Sequence, residues 1–338
     1  MNMANKILVT GAGGYIGSIA TYMLLQGGYE VAAVDNFLRG FRQPLETLQQ
    51  KYGKEKFRWY EADLTKDISA VFDREKNIDA VLHYAALCNV GESSLNPGLY
   101  FFNNTLGCVN LIESLTKFNV KNIVFSSTCA VYGESKYVPI DEKHPINPIS
   151  PYGESKRMSE SVIEWYGKLK GLRFLLLRYF NVCGASDDGM FGDSKKPSFH
   201  LMQNAIRGVL GIEPFQLTYP EVDTPDKSPI RDYVNVVDLN RAHILGLEYL
   251  LKGGKSEVIN LGTGSGNSVL EIIKKVEEMT GKKIDFKKGP TRIGDPERLI
   301  ASTAKAKEVL DWEPKHSLED SVETLLTWYK VHPKGWEK

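Results

Sequence analysis

Lys6-Ile7-Leu8-Val9-Thr10 runs without a break into Gly11-Ala12-Gly13-Gly14-Tyr15-Ile16-Gly17. The first five residues are a short β-prone apolar run, and Ile19 through Gln26 carries a helical pattern that Gly27-Gly28 closes. A glycine-rich turn between a strand and a helix has a specific use. Glycines let the backbone approach a pyrophosphate, and the helix N-terminus supplies N–H donors and the positive end of its dipole. Val31–Val34 is a second strand, and Asp35 ends it 18 residues after Gly17. A carboxylate there accepts hydrogen bonds from ribose hydroxyls and repels a 2′-phosphate, which favours NAD over NADP. Gly11, Gly14, Tyr15, Ile16, Gly17, Asp35 and the adjoining Asn36 are therefore candidate NAD contacts. The second cluster, Gly262-Thr263-Gly264-Ser265-Gly266, has no acid on a following strand and reads as a loop before a helix near Ser268.

Outward from this turn, strand-like runs recur at Phe57–Tyr60, Ala80–Leu82, Ile123–Phe125 and Phe174–Leu177, separated by helical segments such as Thr105–Lys117. Alternating strands and helices imply right-handed crossovers and a parallel sheet covered on both faces. Asp63-Leu64 and Tyr84-Ala85-Ala86 follow later strands and would lie on the edge where a dinucleotide binds. After about Gly184 the rhythm loosens, and Pro214, Pro220, Pro225 and Pro229 leave room for little beyond one short helix before Ile230. Val236–Leu251 is helical again, a strand follows at Val258–Leu261, and helices are expected near Val269–Met279 and Leu318–Tyr329. The expected fold is α/β: a Rossmann-type doubly wound parallel sheet with a smaller C-terminal α/β substrate domain. Residues 1–184 with about 232–258 are assigned to the NAD-binding domain, and 185–231 with 259–338 to the substrate domain.

Ser126-Ser127-Thr128-Cys129-Ala130 follows a buried strand, and Ser150-Pro151-Tyr152-Gly153-Glu154-Ser155-Lys156 comes 24 residues later. Tyr152 and Lys156 share one helical face. A cation there would lower the tyrosine pKa and make Tyr152 a general base. Tyr-x-x-x-Lys also occurs at Tyr52/Lys56, Tyr132/Lys136 and Tyr166/Lys170, so the pattern alone decides nothing. Tyr152 alone follows a helix start, with Ser150 as N-cap and Pro151 at the first helical position.

The 338 residues carry 42 basic and 42 acidic side chains without a long run of either sign. That gives no support for a nucleic-acid or anionic-membrane partner. Cys88, Cys108, Cys129 and Cys183 are widely spaced, which excludes a zinc pattern and points to free thiols in a reducing compartment. With no apolar run near the roughly 20 residues of a membrane span and no expected signal peptide, the cytoplasm is the expected location.

With these pieces in place the chain resembles the UDP-galactose (UDP-glucose) 4-epimerases of the extended short-chain dehydrogenase/reductase family. Val90-Gly91-Glu92-Ser93, Phe125-Ser126-Ser127, Val131-Tyr132-Gly133, Pro151-Tyr152-Gly153, Leu177-Arg178-Tyr179-Phe180-Asn181, Ile230-Arg231-Asp232-Tyr233 and Asn260-Leu261-Gly262-Thr263-Gly264 carry the likeness over nearly the whole chain. The resemblance implies a seven-stranded Rossmann domain, tightly bound NAD that is not consumed, a UDP-sugar substrate and a homodimer. It makes Tyr152 the catalytic base and acid, Lys156 its electrostatic partner, and Thr128 the hydroxyl bonded to the reacting oxygen. Asn103 and Phe180 would lie near the cofactor. Asn181, His200, Leu201, Tyr219, Arg231, Arg292, Asp295 and Leu299 would contact the UDP-sugar; a salt bridge to its neighbour Asp232 is the lesser alternative for Arg231.

The related 4,6-dehydratases have an Asp-Glu pair after the catalytic threonine, and the decarboxylases a Glu. Cys129 and Ala130 stand there instead and can serve neither role. Cys88 replaces a lysine frequent in the family, Thr218 an aromatic that stacks on uracil, and His200 an asparagine found in some members. Leu299 matches a position beside the sugar 2-substituent, where a smaller side chain leaves room for an N-acetyl group. UDP-hexoses are therefore the first expected substrates, with UDP-N-acetylhexosamines next. A UDP-pentose or UDP-uronate epimerase, a net nucleotide-sugar oxidoreductase and a non-catalytic NAD-binding protein are the alternatives.

Overall fold

A computed structural model describes residues 5–196, 198, 200–217, 219–288 and 296–337. The apolar runs form strands as expected, each bounded by a turn or cap. The first half alternates β1 (Lys6–Thr10), α1 (Tyr15–Gln26), β2 (Glu30–Asp35), α2 (Gln43–Lys56), β3 (Phe57–Glu61), α3 (Ser69–Arg74) and β4 (Ala80–His83). Two short helices follow, α4 (Val90–Leu95) and α5 (Pro97–Tyr100), then a π-helical turn (Phe101–Leu106) that runs into α6 (Gly107–Lys117). The expected helix start at Thr105 thus falls inside the π-helical turn. Next come β5 (Asn122–Ser126), α7 (Pro151–Lys170), β6 (Arg173–Tyr179) and β7 (Asn181–Cys183).

The remainder contributes α8 (Leu201–Val209), β8 (Gln216–Leu217), β9 (Ile230–Arg231), β10 (Tyr233–Asn235), α9 (Val236–Leu251) and β11 (Glu257–Leu261). It ends with β12 (Asn267–Ser268), α10 (Val269–Thr280), β13 (Lys287–Lys288), β14 (Arg298–Leu299), α11 (Ala304–Leu310) and α12 (Leu318–Val331).

Seven strands make one parallel sheet in the order β11-β6-β5-β4-β1-β2-β3. The strand order reverses between β1 and β4, and ligands bind such sheets at the carboxyl ends beside that switch point. One apolar layer covers the α1, α2 and α9 face, with Ile19, Leu45 and Leu239 among its buried members. A second, including Leu111 and Ile163, lies under α3, α6 and α7. The expected boundary near 258 falls inside β11, which pairs with β6 as the sheet's edge. Ala306, Leu310 and Trp312 also join the sheet's core, because α11 packs on α9 and β11. The cap has its own core, where α8, α10 and α12 bring Ile206, Ile272 and Trp328 together.

Candidate active site

At the carboxyl end of β1, Gly11 turns with φ +74°, and a Cβ there would sit 2.6 Å from the Ala85 backbone nitrogen. Gly17 is equally confined, since its Cβ would meet the Gly11 carbonyl oxygen at 2.2 Å. The chain can therefore pass close over β4 and start α1 against its own turn. Gly14 is the N-cap of α1; it has no side-chain cap, and the first turn holds no acid. The positive end of the helix is left for an anionic ligand. Asp35 is buried at the end of β2 and accepts hydrogen bonds from Gly13 N–H (2.9 Å) and Phe37 N–H (2.7 Å). A carboxylate at this strand end can accept from ribose hydroxyls. Turn, uncapped helix and acid together fit a dinucleotide.

A cavity of about 1130 Å³ extends from this turn across the sheet edge to the cap. Every candidate cofactor contact lines it: Gly11, Gly14, Tyr15, Ile16, Gly17, Asp35, Asn36, Asp63, Leu64, Tyr84, Ala85, Ala86, Asn103, Phe180, Tyr152 and Lys156. Thr128, Asn181, His200, Arg231 and Leu299 line it as well. Leu201 and Tyr219 do not; they pack against the cap core, as Leu201 opens a helix whose apolar face turns toward α10 and α12. Arg292, Asp295 and Thr218 lie outside the described residues.

Tyr152 starts α7 as its cap dictates, with Ser150 Oγ accepting from Gly153 N–H at 3.1 Å. Thr128, at the exit of β5, accepts from Ala130 N–H at 3.1 Å, and its hydroxyl acts to lower the Tyr152 pKa. Lys156 Nζ donates to the Ser126 carbonyl at 2.6 Å and sits 4.5 Å from the centroid of the Phe125 ring. The electrostatics reverse one expectation. Burial pushes the Tyr152 pKa well above 10, with Tyr179 and Cys88 adding to the rise and Thr128 opposing it. The same burial brings Lys156 down to about 8. The protein alone therefore favours neutral phenol over phenolate.

Asp232 does not pair with Arg231. Its buried carboxylate accepts from Thr263 N–H (2.7 Å), Thr263 Oγ1 (2.7 Å), Gly264 N–H (3.0 Å) and Ala301 N–H (3.2 Å). This ties the second glycine cluster to the start of α11 and explains it as structure. Arg231 instead lines the cavity, with Nη1 donating to its neighbour Ile230's carbonyl at 2.9 Å. Cys129 is buried, and that burial drives its thiol up to about 12. Cys88 lines the cavity, and all four cysteines are free thiols. His200 is held neutral, its pKa brought down to about 4 by burial and by Lys195.

Two groups escaped the sequence reading. Tyr179 shares a 2.6 Å hydrogen bond with Ser126 Oγ beneath Lys156's carbonyl partner. Lys195 lines the cavity from a loop about 180 residues beyond the glycine turn, and its one sequence signal is the charged pair Lys195-Lys196 among small polar residues.

The strand order, the glycine turn and a buried Thr-Tyr-Lys set on one cavity define a nicotinamide-dinucleotide enzyme of the short-chain dehydrogenase/reductase class. Residues 7–262 match the NAD dependent epimerase/dehydratase family, and the chain belongs to that family. It is 42% identical to the UDP-glucose 4-epimerase of Lactobacillus helveticus, over 98% of this chain and 99% of that one. The Bifidobacterium longum UDP-glucose 4-epimerase, solved with NAD+ and UDP, superposes with a TM-score of 0.91 at 35% identity, covering 98% of this chain and 100% of the other. The UDP-Glc/GlcNAc 4-epimerase of Campylobacter jejuni does so with a TM-score of 0.82 at 35% identity, covering 97% and 100%.

Proposed function

We propose that the chain is an NAD-dependent UDP-sugar 4-epimerase, an isomerase that interconverts UDP-glucose and UDP-galactose. The observation that carries this reading is a Thr128–Tyr152–Lys156 set facing the cavity with Cys129 and Ala130 beside it. Thr128, Tyr152 and Lys156 make one acid/base device, and Cys129 and Ala130 stand where elimination or decarboxylation would need a carboxyl group. When bound, NAD would supply reversible hydride acceptance at sugar C4, the hydride returning to the opposite face of a 4-keto sugar. Tyr152 acts as phenolate to take the proton of the 4-hydroxyl and as phenol to give it back, while Thr128 holds the same oxygen. Lys156, cationic below about pH 8, holds the nicotinamide ribose beside Tyr152. Arg231 and Asn181 hold the UDP diphosphate and sugar, and guanidinium suits that task by its bidentate fit. Net redox is zero, so NAD stays bound and is not consumed.

Residues 1–184 with about 232–258 serve the cofactor, and 185–231 with 259–338 the UDP-sugar. UDP-N-acetylhexosamines are a second substrate class, supported by the size of Leu299 on the cavity wall. Among the described residues no helix is long and apolar enough to cross a membrane. We assign the protein to the cytoplasm, to galactose metabolism and to a homodimer.

Purified protein given UDP-glucose is expected to form UDP-galactose by NMR with no sustained change in absorbance at 340 nm. Turnover of UDP-GlcNAc at background, with UDP-glucose active, removes the second substrate class. Tyr152→Phe should lower turnover by about 10²–10⁴-fold, the range of a lost acid/base, while NAD stays bound. Substantial turnover in that variant would reassign the base, and progressive accumulation or loss of NADH would make the enzyme a net oxidoreductase.

A further inference from the structure

The cavity holds a cation that the proposed chemistry does not use. Lys195 lies on the loop between β7 and α8, and that loop is fixed from several sides. Buried Asp193 accepts from Ser198 Oγ at 2.6 Å, and its carbonyl accepts from Trp328 Nε1 (3.2 Å) and Tyr329 OH (3.0 Å). The Lys195 carbonyl accepts from buried Arg207 at 2.6 Å, and Ser194 Oγ accepts from Trp336 N–H at 3.0 Å. The backbone is thus anchored on both sides of a side chain that points into the cavity.

The ammonium has the Tyr15 ring 5.8 Å away, at the first residue of α1. A small recess groups Lys195 with Gly13, Gly14 and Tyr15, so it stands over the glycine turn. Among the described residues it makes no ion pair and no side-chain hydrogen bond. Of the other cations lining the cavity, Arg39 pairs with Glu92 at 2.5 Å and Lys156 is bonded to the Ser126 carbonyl, while Lys196 lies beside Lys195 in the chain. Lys195 stays charged, because Cys88 and Asp193 raise its pKa against burial. A charge in a partly desolvated cavity that has only through-space attraction to Asp193 and no hydrogen-bonded counter-ion gains when an anion arrives. Beside it, the uncapped N-terminus of α1 favours the same anion.

We propose that Lys195 is a ligand of the dinucleotide diphosphate, closing over the glycine turn from the cap side opposite α1. The inference rests on the NAD-dependent reading above. It also accounts for Cys88, which lines the cavity within electrostatic range of Lys195. A lysine at position 88 could supply a charge to the same region, and Lys195 makes that unnecessary.

The test uses the holoenzyme as purified. Release of NAD is followed at low and high salt for wild type, Lys195→Met, Lys195→Arg and Lys195→Met with Cys88→Lys, and UDP affinity is titrated on each. Lys195→Met should hold NAD about ten-fold or more weakly, the size of a charge-assisted hydrogen bond, with a flatter salt dependence and unchanged UDP affinity. Lys195→Arg should stay near wild type, and Cys88→Lys should restore retention, a rescue that no purely structural role allows. NAD retention equal to wild type in Lys195→Met overturns the proposal. So does loss of UDP affinity with NAD retained, which would give the lysine to the substrate's diphosphate. Wild-type protein that neither carries nor takes up NAD would instead remove the reading beneath it.

Discussion

Tyr152 and Lys156 were legible as a pair through the Ser150-Pro151 cap, which separates them from three identical spacings elsewhere. Their protonation was not legible, because spacing on a helix says nothing about desolvation. Burial acts in opposite senses on the two groups, raising the phenol and lowering the ammonium to about 8. The lysine therefore loses its charge as pH rises through about 8, and kcat/KM of the holoenzyme should fall on that side. The same shift has the reverse sign for stability. Between about 8 and the ordinary lysine value of 10.5 the unfolded chain binds a proton that the native state lacks, so stability from this site rises with pH. Urea unfolding across this window should show a steeper rise for wild type than for Lys156→Met. Parallel slopes would mean that Lys156 titrates at its ordinary value in the folded protein.

At the scale of elements, the capped or strongly periodic ones were readable. Val236–Leu251 is the expected helix to the residue, and α7 begins at its proline. Several helices were not, α2 and α11 among them. α2 has no side-chain cap and is interrupted at Gly53 (φ 76°, ψ 162°), while α11 has seven residues, too few to show a period. Contacts between elements were hidden altogether. Glu160, one turn beyond Lys156 on α7, takes Arg178 of β6 in a bidentate pair at 2.8 and 2.7 Å, and also accepts from Ser127 Oγ at 2.6 Å. Arg178 Nη1 reaches Tyr132 OH at 3.2 Å, and Tyr132 OH donates to Asn260 at 2.7 Å. This buried chain clamps α7 to the strand ends on which Thr128 sits. Removing one partner strands a charge in the interior, so Arg178→Met should cost roughly 3–5 kcal/mol of stability. Chemical denaturation measures it, and a loss below about 1 kcal/mol, the level of an exposed pair, would show that water reaches the site.

For the whole molecule, alternation of strands and helices gave the parallel sheet and its switch point, because each crossover is local in sequence. The cap was harder to read: its small sheets join two-residue strands drawn from distant segments. Assembly lies further out still, yet the surface carries a pattern for it. On α7, Tyr152, Lys156, Ser159 and Ile163 form the buried face, while Met158, Trp165 and Leu169 are exposed on another. The neighbouring segment from α4 to the π-helical turn packs against α7 and exposes Leu95 (81%), Leu99 and Phe102. Single exposed apolar side chains are ordinary, but two adjoining segments that both present them make a patch of the kind associated with protein contacts. A two-fold axis through this patch would bring both segments of each protomer together and cover the apolar surface with itself. The patch is formed by the outer surface of the helix that carries Tyr152 and Lys156, so dimerisation would also brace α7. Trp165→Glu with Leu169→Glu buries two unpaired carboxylates in such an interface and leaves the inner face of α7 untouched. Sedimentation velocity should show dimeric wild type and a monomeric double variant that keeps its NAD. A variant that sediments with wild type would place the dimer contact elsewhere.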